Sequence, residues 1–99
     1  MRVRDFVDPA HPALAGHFPG NPIVPGVLLL GRVLRAVGAT LGAAVNAIPT
    51  ARFHAVLRPG EAFDIELERG AGATVKFRVL RAETLIAAGA LGLSAAAAA

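Results

Sequence analysis

Several residue types that often carry chemistry are missing from this sequence. Its 99 residues include no cysteine, no tryptophan and no tyrosine, and lysine occurs once among ten basic residues. Without cysteine, the chain offers no disulfide, no thiolate nucleophile and no cysteine-bound metal, and it suits the reducing cytoplasm, where we expect it to act. The scarcity of aromatic residues and the scattered positions of the basic ones argue against nucleic-acid binding.

Long hydrophobic runs are missing as well. The longest uncharged segment, residues 84–99, is rich in alanine and glycine and is shorter than the roughly 20 strongly apolar residues that span a bilayer. Residues 1–5 alternate in polarity and lack the apolar core of a signal peptide. We therefore predict neither a membrane span nor a signal peptide. The three histidines lie far apart without zinc-site spacing, so no metal or cofactor is predicted.

What the sequence has in excess is apolar surface. Hydrophobic residues make up 55% of the chain and charged residues 17%, which is more apolar than an ordinary globular domain. The length predicts one domain over residues 1–99, and a domain of this size buries only part of its surface. We expect some of the remaining apolar surface to line a subunit interface. The net charge of +3 weakly favours acidic partners.

The first half of the sequence predicts a strand, a proline-rich loop and one helix. Residues 2–7 alternate as a short strand, and the prolines that follow end it. Four prolines between residues 11 and 25 exclude regular structure, and Pro25 opens a helix that runs to about Gly42. Apolar residues at steps of 3 and 4 predict a core-facing stripe on this helix: Val27, Leu30, Leu34, Val37 and Leu41. Three glycines on a second face predict close approach of another element: Gly31, Gly38 and Gly42.

The second half predicts antiparallel strands. Apolar residues alternate over residues 51–57, 63–67 and 75–79, and a last strand is predicted over about 84–93. Glycines at 70 and 72 mark a hairpin. The hairpin register expected from them sets carboxylates opposite basic residues on the outer surface: Arg69 with Ala73, Glu66 with Lys76, and Asp64 with Arg78. The order of elements predicts an α+β architecture, a curved antiparallel sheet wrapped around one central helix, which is the outline of a hotdog fold.

The segment at the start of the helix is far more specific than the strand pattern. Residues 16–28 read Gly-His-Phe-Pro-Gly-Asn-Pro-Ile-Val-Pro-Gly-Val-Leu. This segment resembles the active-site segment of bacterial 3-hydroxyacyl-(acyl carrier protein) dehydratases, including the short dehydratase-like proteins of aryl polyene biosynthesis. Residues 51–77 resemble the strand region of that family more loosely. The resemblance thus covers most of the chain and implies the same hotdog fold.

The resemblance implies a reversible loss of water from a 3-hydroxyacyl thioester, giving a trans-2-enoyl thioester on the phosphopantetheine arm of an acyl carrier protein. His17 matches the family histidine and would take the C2 proton, since an imidazole has a pKa near neutrality. Gly26 matches the residue whose backbone N–H faces the thioester oxygen at the positive end of the helix dipole. Residues beside them would bind substrate: Phe18, Pro25, Val27 and Leu30.

One expected side chain is absent. The family places a Glu or Asp on the helix five residues beyond the glycine, and here that position is Gly31. Loss of a general acid typically lowers the rate by about 10²- to 10⁴-fold. Strand carboxylates are possible substitutes, although their alternation predicts a solvated face opposite basic residues: Asp64, Glu66 and Glu68.

Three functions therefore stay open. The first is a dehydratase of fatty acid or polyene biosynthesis, at least a homodimer, because family active sites combine the histidine loop of one subunit with the helix carboxylate of the other. A chain that keeps His17 but lacks the acid could complete one working site by pairing with a relative that supplies it. The second function is therefore a non-catalytic partner, either a subunit that binds acyl chains or carrier protein within a heterodimer or a degenerate homologue. The third is a hotdog thioesterase, which is disfavoured because such enzymes use a carboxylate to attack or to activate water.

The other polar residues have simpler interpretations. We expect His11 to be an exposed turn residue and His54 to lie on the outer face of a strand. Arginines along the helix and strands are expected on the solvated surface, with a docking patch for acidic carrier protein as the alternative: Arg32, Arg35, Arg52 and Arg58.

Overall fold

The structure, a computed structural model, describes residues 1–14 and 23–94. In this part of the chain, strand β1 (Arg2–Asp5) leads through a short 3-10 helix (Pro12–Leu14) to helix α1 (Gly26–Leu41). Four more strands follow: β2 (Val45–Phe53), β3 (Phe63–Arg69), β4 (Thr74–Arg81) and β5 (Thr84–Leu93). No helix in the described ranges is long and apolar enough to cross a membrane.

The strands form one antiparallel sheet in the order β1-β3-β4-β5-β2, so β1 and β2 are its edges. Helix α1 packs on one face of this sheet, and a single core of buried residues connects the two layers. This architecture confirms the predicted α+β hotdog fold. The core takes the alternate residues of β3 and β4 that the period of two predicted: Phe63, Ile65, Leu67, Val75, Phe77 and Val79.

The predicted hairpin register is wrong by two residues. Arg69 pairs with Val75, so Glu66 lies opposite Arg78 and Glu68 opposite Lys76. The connection needs four residues, 70–73, in which only Gly72 adopts a left-handed conformation, with φ of 63°. The principle of the prediction holds, because opposite charges still face each other across the two strands.

The predicted buried stripe of α1 is confirmed at Val37 and wrong at Val27. The fully buried positions are Leu29, Val33, Ala36 and Val37, whereas Val27 is 83% exposed. Leu30, Leu34 and Leu41 are only partly buried at the margin of the core. Residues 27–30 are all apolar and cover the whole circumference of the first helical turn. Steps of 3 and 4 can therefore be drawn along two different faces of the helix, and packing against the sheet selects the one that is buried.

Strand β2 begins and ends earlier than predicted. It includes Pro49, which lacks an N–H donor and is tolerated because β2 is an edge strand with two register irregularities beside β5. After Phe53 the chain leaves the ladder, as the N–H groups of His54 and Ala55 both donate to the Ile86 carbonyl at 2.7 and 3.3 Å. Residues 54–58 thus form an irregular segment, which we call the strap.

Two charged residues predicted on a solvated surface are largely buried. The Arg32 side chain is 17% exposed and donates to both carboxylate oxygens of Asp5 at 3.0 and 3.1 Å, which ties α1 to the end of β1. Asp64 is 5% exposed and accepts hydrogen bonds from Arg4. His11, predicted to be exposed, is half-buried, and its backbone N–H donates to the Asp8 carbonyl at 2.9 Å.

Candidate active site

The amino terminus of α1 carries the residues that the sequence singled out. Pro25 is the N-cap, with φ of −60° and ψ of 144°, and no side chain of the described residues makes a capping hydrogen bond there. The Pro25 carbonyl accepts from the N–H groups of Leu28 and Leu29, both at 3.1 Å. The first N–H groups of a helix have no partner within it. This end of α1 also contains no acidic residue, so the positive end of its dipole favours an electron-rich ligand.

A small apolar pocket opens beside this helix end. Its volume is about 260 Å³. It is lined by the segment before the helix, by two residues of α1 and by the strap with its neighbours: Ile23, Val24, Gly26, Leu29, Phe53, Ala55, Val56, Leu57 and Ile86. A hydrogen bond of 2.8 Å from the Val24 N–H to the Leu57 carbonyl fixes the segment before the helix against the strap. The pocket wall is therefore held by backbone as well as by side chains.

A side chain at Gly26 would crowd the ring of Phe53. A Cβ added there would lie 3.0–3.3 Å from three atoms of the Phe53 ring. Phe53 is itself 51% exposed, so its ring covers the helix end without being locked in the core. The pattern of β2 gave no signal for this role of Phe53, because the contact depends on how the end of the strand meets the helix.

The predicted site residues are distributed unequally around this pocket. Gly26 lines it, and Pro25 is half-buried at the helix start. Val27 points away from the pocket into solvent, and Leu30 packs partly against the core. His17 and Phe18 lie outside the described residues, so their roles stay predictions.

No acidic side chain of this chain lines the pocket. All seven acidic residues lie within the described ranges, and none of them lines the pocket. The helix itself has no acidic residue, and Gly31 is exposed. The carboxylates lie instead beside arginines, in turns or on exposed edges: Asp5, Asp8, Glu61, Asp64, Glu66, Glu68 and Glu83.

Two of the strand carboxylates, Asp64 and Glu66, are moreover held as anions. Glu66 lies between Arg2 and Arg78, and hydrogen bonds from both guanidinium groups lower its pKa to about 2. The Arg4 hydrogen bond lowers the pKa of Asp64. A general acid must carry a proton near neutral pH. These two carboxylates therefore do not fit that role, and their alternation with buried residues places them on the sheet face away from α1.

Comparison with known proteins decides the family. Residues 1–90 match the family model for ApeI-like proteins, described as ApeI dehydratase. The chain belongs to the ApeI-like dehydratase family. The predicted relationship to hydroxyacyl-carrier-protein dehydratases is thereby confirmed.

In the described ranges, no group of three or more His, Cys, Asp or Glu side chains is placed to hold a metal ion.

Curated relatives of this ApeI-like chain are longer enzymes. The 3-hydroxyacyl-(acyl-carrier-protein) dehydratase FabZ of Chloroflexus aggregans is 38% identical over 73 residues, which cover 64% of this chain and 50% of that enzyme. FabZ of Chlamydia trachomatis is 35% identical over 68 residues, covering 58% of this chain and 44% of the enzyme. The chain thus spans about half the length of the curated relatives that it matches.

A solved structure supports the fold. The dehydratase heterocomplex ApeI:P from Xenorhabdus doucetiae contains a chain that superposes with a TM-score of 0.77 and 24% sequence identity. The match covers 93% of this ApeI-like chain and 84% of the other. At this level of identity, the similarity establishes the hotdog architecture.

Proposed function

We propose that this ApeI-like chain is one subunit of a dehydratase that removes water from 3-hydroxyacyl thioesters carried by an acyl carrier protein. In this proposal it contributes His17 and the amino end of α1, and a related subunit contributes the carboxylate. The observation that carries the proposal is that helix α1, where the resemblance expects the carboxylate, contains no acidic residue, and that none of the seven acidic side chains lines the pocket at Gly26. A second copy of this chain brings no helix carboxylate either, so a site that needs one takes it from a different, related subunit.

The chemistry divides naturally between two subunits. Enolate character develops on the thioester carbonyl as the C2 proton leaves, and helix N–H groups stabilise that charge. The apolar pocket beside Gly26 supplies a weakly polar environment in which those N–H groups act more strongly. The hydroxyl leaves as water only if an acid protonates it. This chain supplies the helix N–H groups and the apolar pocket and lacks the acid.

The outer face of α1 is built to accept a second chain. Val27 is 83% exposed, and Gly31 and Gly38 are exposed on the side of the helix away from the core. A Cβ at Gly31 would meet no atom within 4 Å, and one at Gly38 would meet only the Ala43 carbonyl oxygen at 4.0 Å. These glycines serve no close packing within the chain. The existence of an ApeI:P heterocomplex in Xenorhabdus doucetiae supports a related subunit as the partner.

A complementation experiment tests this division directly. The partner is a carboxylate-bearing ApeI-like relative in which the active-site histidine has been replaced by alanine. That variant lacks the base, whereas this chain lacks the acid. We expect each protein alone to be silent and the mixture to form enoyl thioester from a 3-hydroxyacyl carrier protein, measured as the mass loss of one water.

The controls locate the working site. His17→Ala in this chain should abolish activity of the mixture, whereas His54→Ala, which changes an exposed histidine outside the pocket, should leave it intact. Full turnover by this chain alone would show that it has its own acid and would refute the division. A mixture that associates but stays silent would show a subunit without a catalytic part.

A further inference from the structure

The strap separates two neighbouring pockets of opposite character. On one side lies the apolar pocket at Gly26, and on the other lies a pocket of about 440 Å³ that we call the arginine pocket. Its lining is Ala55, Val56, Arg58, Glu61 and Arg81. Ala55 and Val56 line both pockets. A ligand that crosses the strap at these two residues reaches from a cationic environment into the apolar one.

Arg81 is fixed in place at the end of β4. Its Nη1 donates to the Val56 carbonyl at 2.7 Å and to Glu61 Oε1 at 3.3 Å. The same Glu61 oxygen accepts from the Arg58 backbone N–H at 2.7 Å, which closes the turn over residues 58–61. A guanidinium has five N–H donors, so Arg81 keeps donors on Nη2 and Nε after making these bonds. Arg81 therefore supports the strap and also holds N–H donors in place beside the pocket.

Arg58 provides the uncompensated charge. Its side chain is exposed, and in the described ranges no carboxylate pairs with its guanidinium. Glu61 is already paired with Arg81, so the arginine pocket carries one positive charge in excess. Arginine binds phosphate through paired N–H groups with matching geometry. Two guanidinium groups lining one pocket therefore favour a phosphate over an apolar or cationic ligand.

We propose that the arginine pocket binds the phosphate of a phosphopantetheine group, with Arg58 as its main contact and Arg81 as a second donor. This inference rests on the proposed function, because it assigns the apolar pocket across the strap to the other end of the same arm. The phosphate occurs in two sources, a carrier protein and coenzyme A. Their shared chemistry is a phosphate ester that is anionic at neutral pH.

Equilibrium binding separates this inference from catalysis. The probes are 4′-phosphopantetheine and pantetheine, which differ only in the phosphate, titrated into the full chain by calorimetry. We expect the phosphorylated probe to bind about 10-fold more tightly, as is reasonable for charge-assisted hydrogen bonds at a partly exposed site. Arg58→Gln should remove most of that difference and leave pantetheine binding unchanged.

A matched control is Arg52→Gln, which removes another exposed arginine that lines neither pocket and should keep the 10-fold preference. Equal affinity for the two probes, no binding of either at millimolar concentration, or equal losses in both variants would overturn the inference. Titration with holo carrier protein and with coenzyme A shows which of the two carries the phosphate that binds. Weaker binding of either one to the Arg58→Gln variant supports the site. Because this experiment measures binding and not turnover, it tests the phosphate site even if the complementation experiment fails.

Discussion

Restoring the missing carboxylate is the most informative single substitution. Gly31→Glu puts a carboxylate at the position where the resemblance predicts the family's acid. The structure predicts that the fold accepts it, because a Cβ at Gly31 meets no atom within 4 Å. Replacing a helical glycine by a straight-chain residue also removes about 0.5 kcal/mol of unfavourable helix propensity. We therefore expect unchanged or slightly raised stability.

The catalytic effect should be large if a second copy places its His17 near this helix face. A general acid contributes about 10²- to 10⁴-fold to rate, so Gly31→Glu should raise enoyl formation by at least about 100-fold over the native chain. The assay follows mass loss of one water from a 3-hydroxyacyl carrier protein. Activity gained in this way should disappear when His17→Ala is added.

Gly38→Glu is the matched control for this substitution. It introduces the same charge at another exposed glycine of α1, where a Cβ meets only one atom, 4.0 Å away. An equal gain in Gly38→Glu would show a general electrostatic effect. A folded Gly31→Glu protein of native oligomeric state without any gain would refute the reasoning that the site lacks only its acid.

Three further predictions concern stability and are measured by thermal or denaturant unfolding. Gly89→Ala should destabilise the protein by more than about 3 kcal/mol, because its Cβ would lie 2.2 Å from the Thr50 carbonyl oxygen and 2.8 Å from the Phe77 ring. A smaller loss of stability would mean that β2 and β5 separate easily. Gly26→Ala should cost about 1 kcal/mol, and a persisting cost in a Phe53→Ala background would contradict the contact seen here. Since the folded state lowers the pKa of Glu66 from 4.5 to about 2, its stabilisation is complete above pH 4.5 and is lost as pH falls toward 2. Glu66→Gln should flatten this acid dependence of the melting temperature, and an unchanged profile would argue against the paired carboxylate.

Much of the fold was readable from local patterns. Helix α1 ends at Leu41 with Gly42 as its left-handed C-cap, close to the predicted end, and β5 has the predicted bounds. Alternation in β3 and β4 identified their buried apolar residues correctly, although Asp64 is buried as well. These features depend on periodicity and on turn residues, which act over a few neighbouring positions.

The family was likewise determined by the sequence alone, since the resemblance depends on which residues occupy positions 16–28. That Gly31 replaces the family's acid stays a prediction from the same resemblance. Only the tertiary structure decided which face of α1 is buried, because apolar residues cover more than one face and the sheet selects among them. It also placed Phe53 over Gly26 and moved the strap out of the ladder, through contacts between distant residues. Finally, it showed that no acidic side chain lines the pocket, because that fact depends on where every carboxylate lies in space.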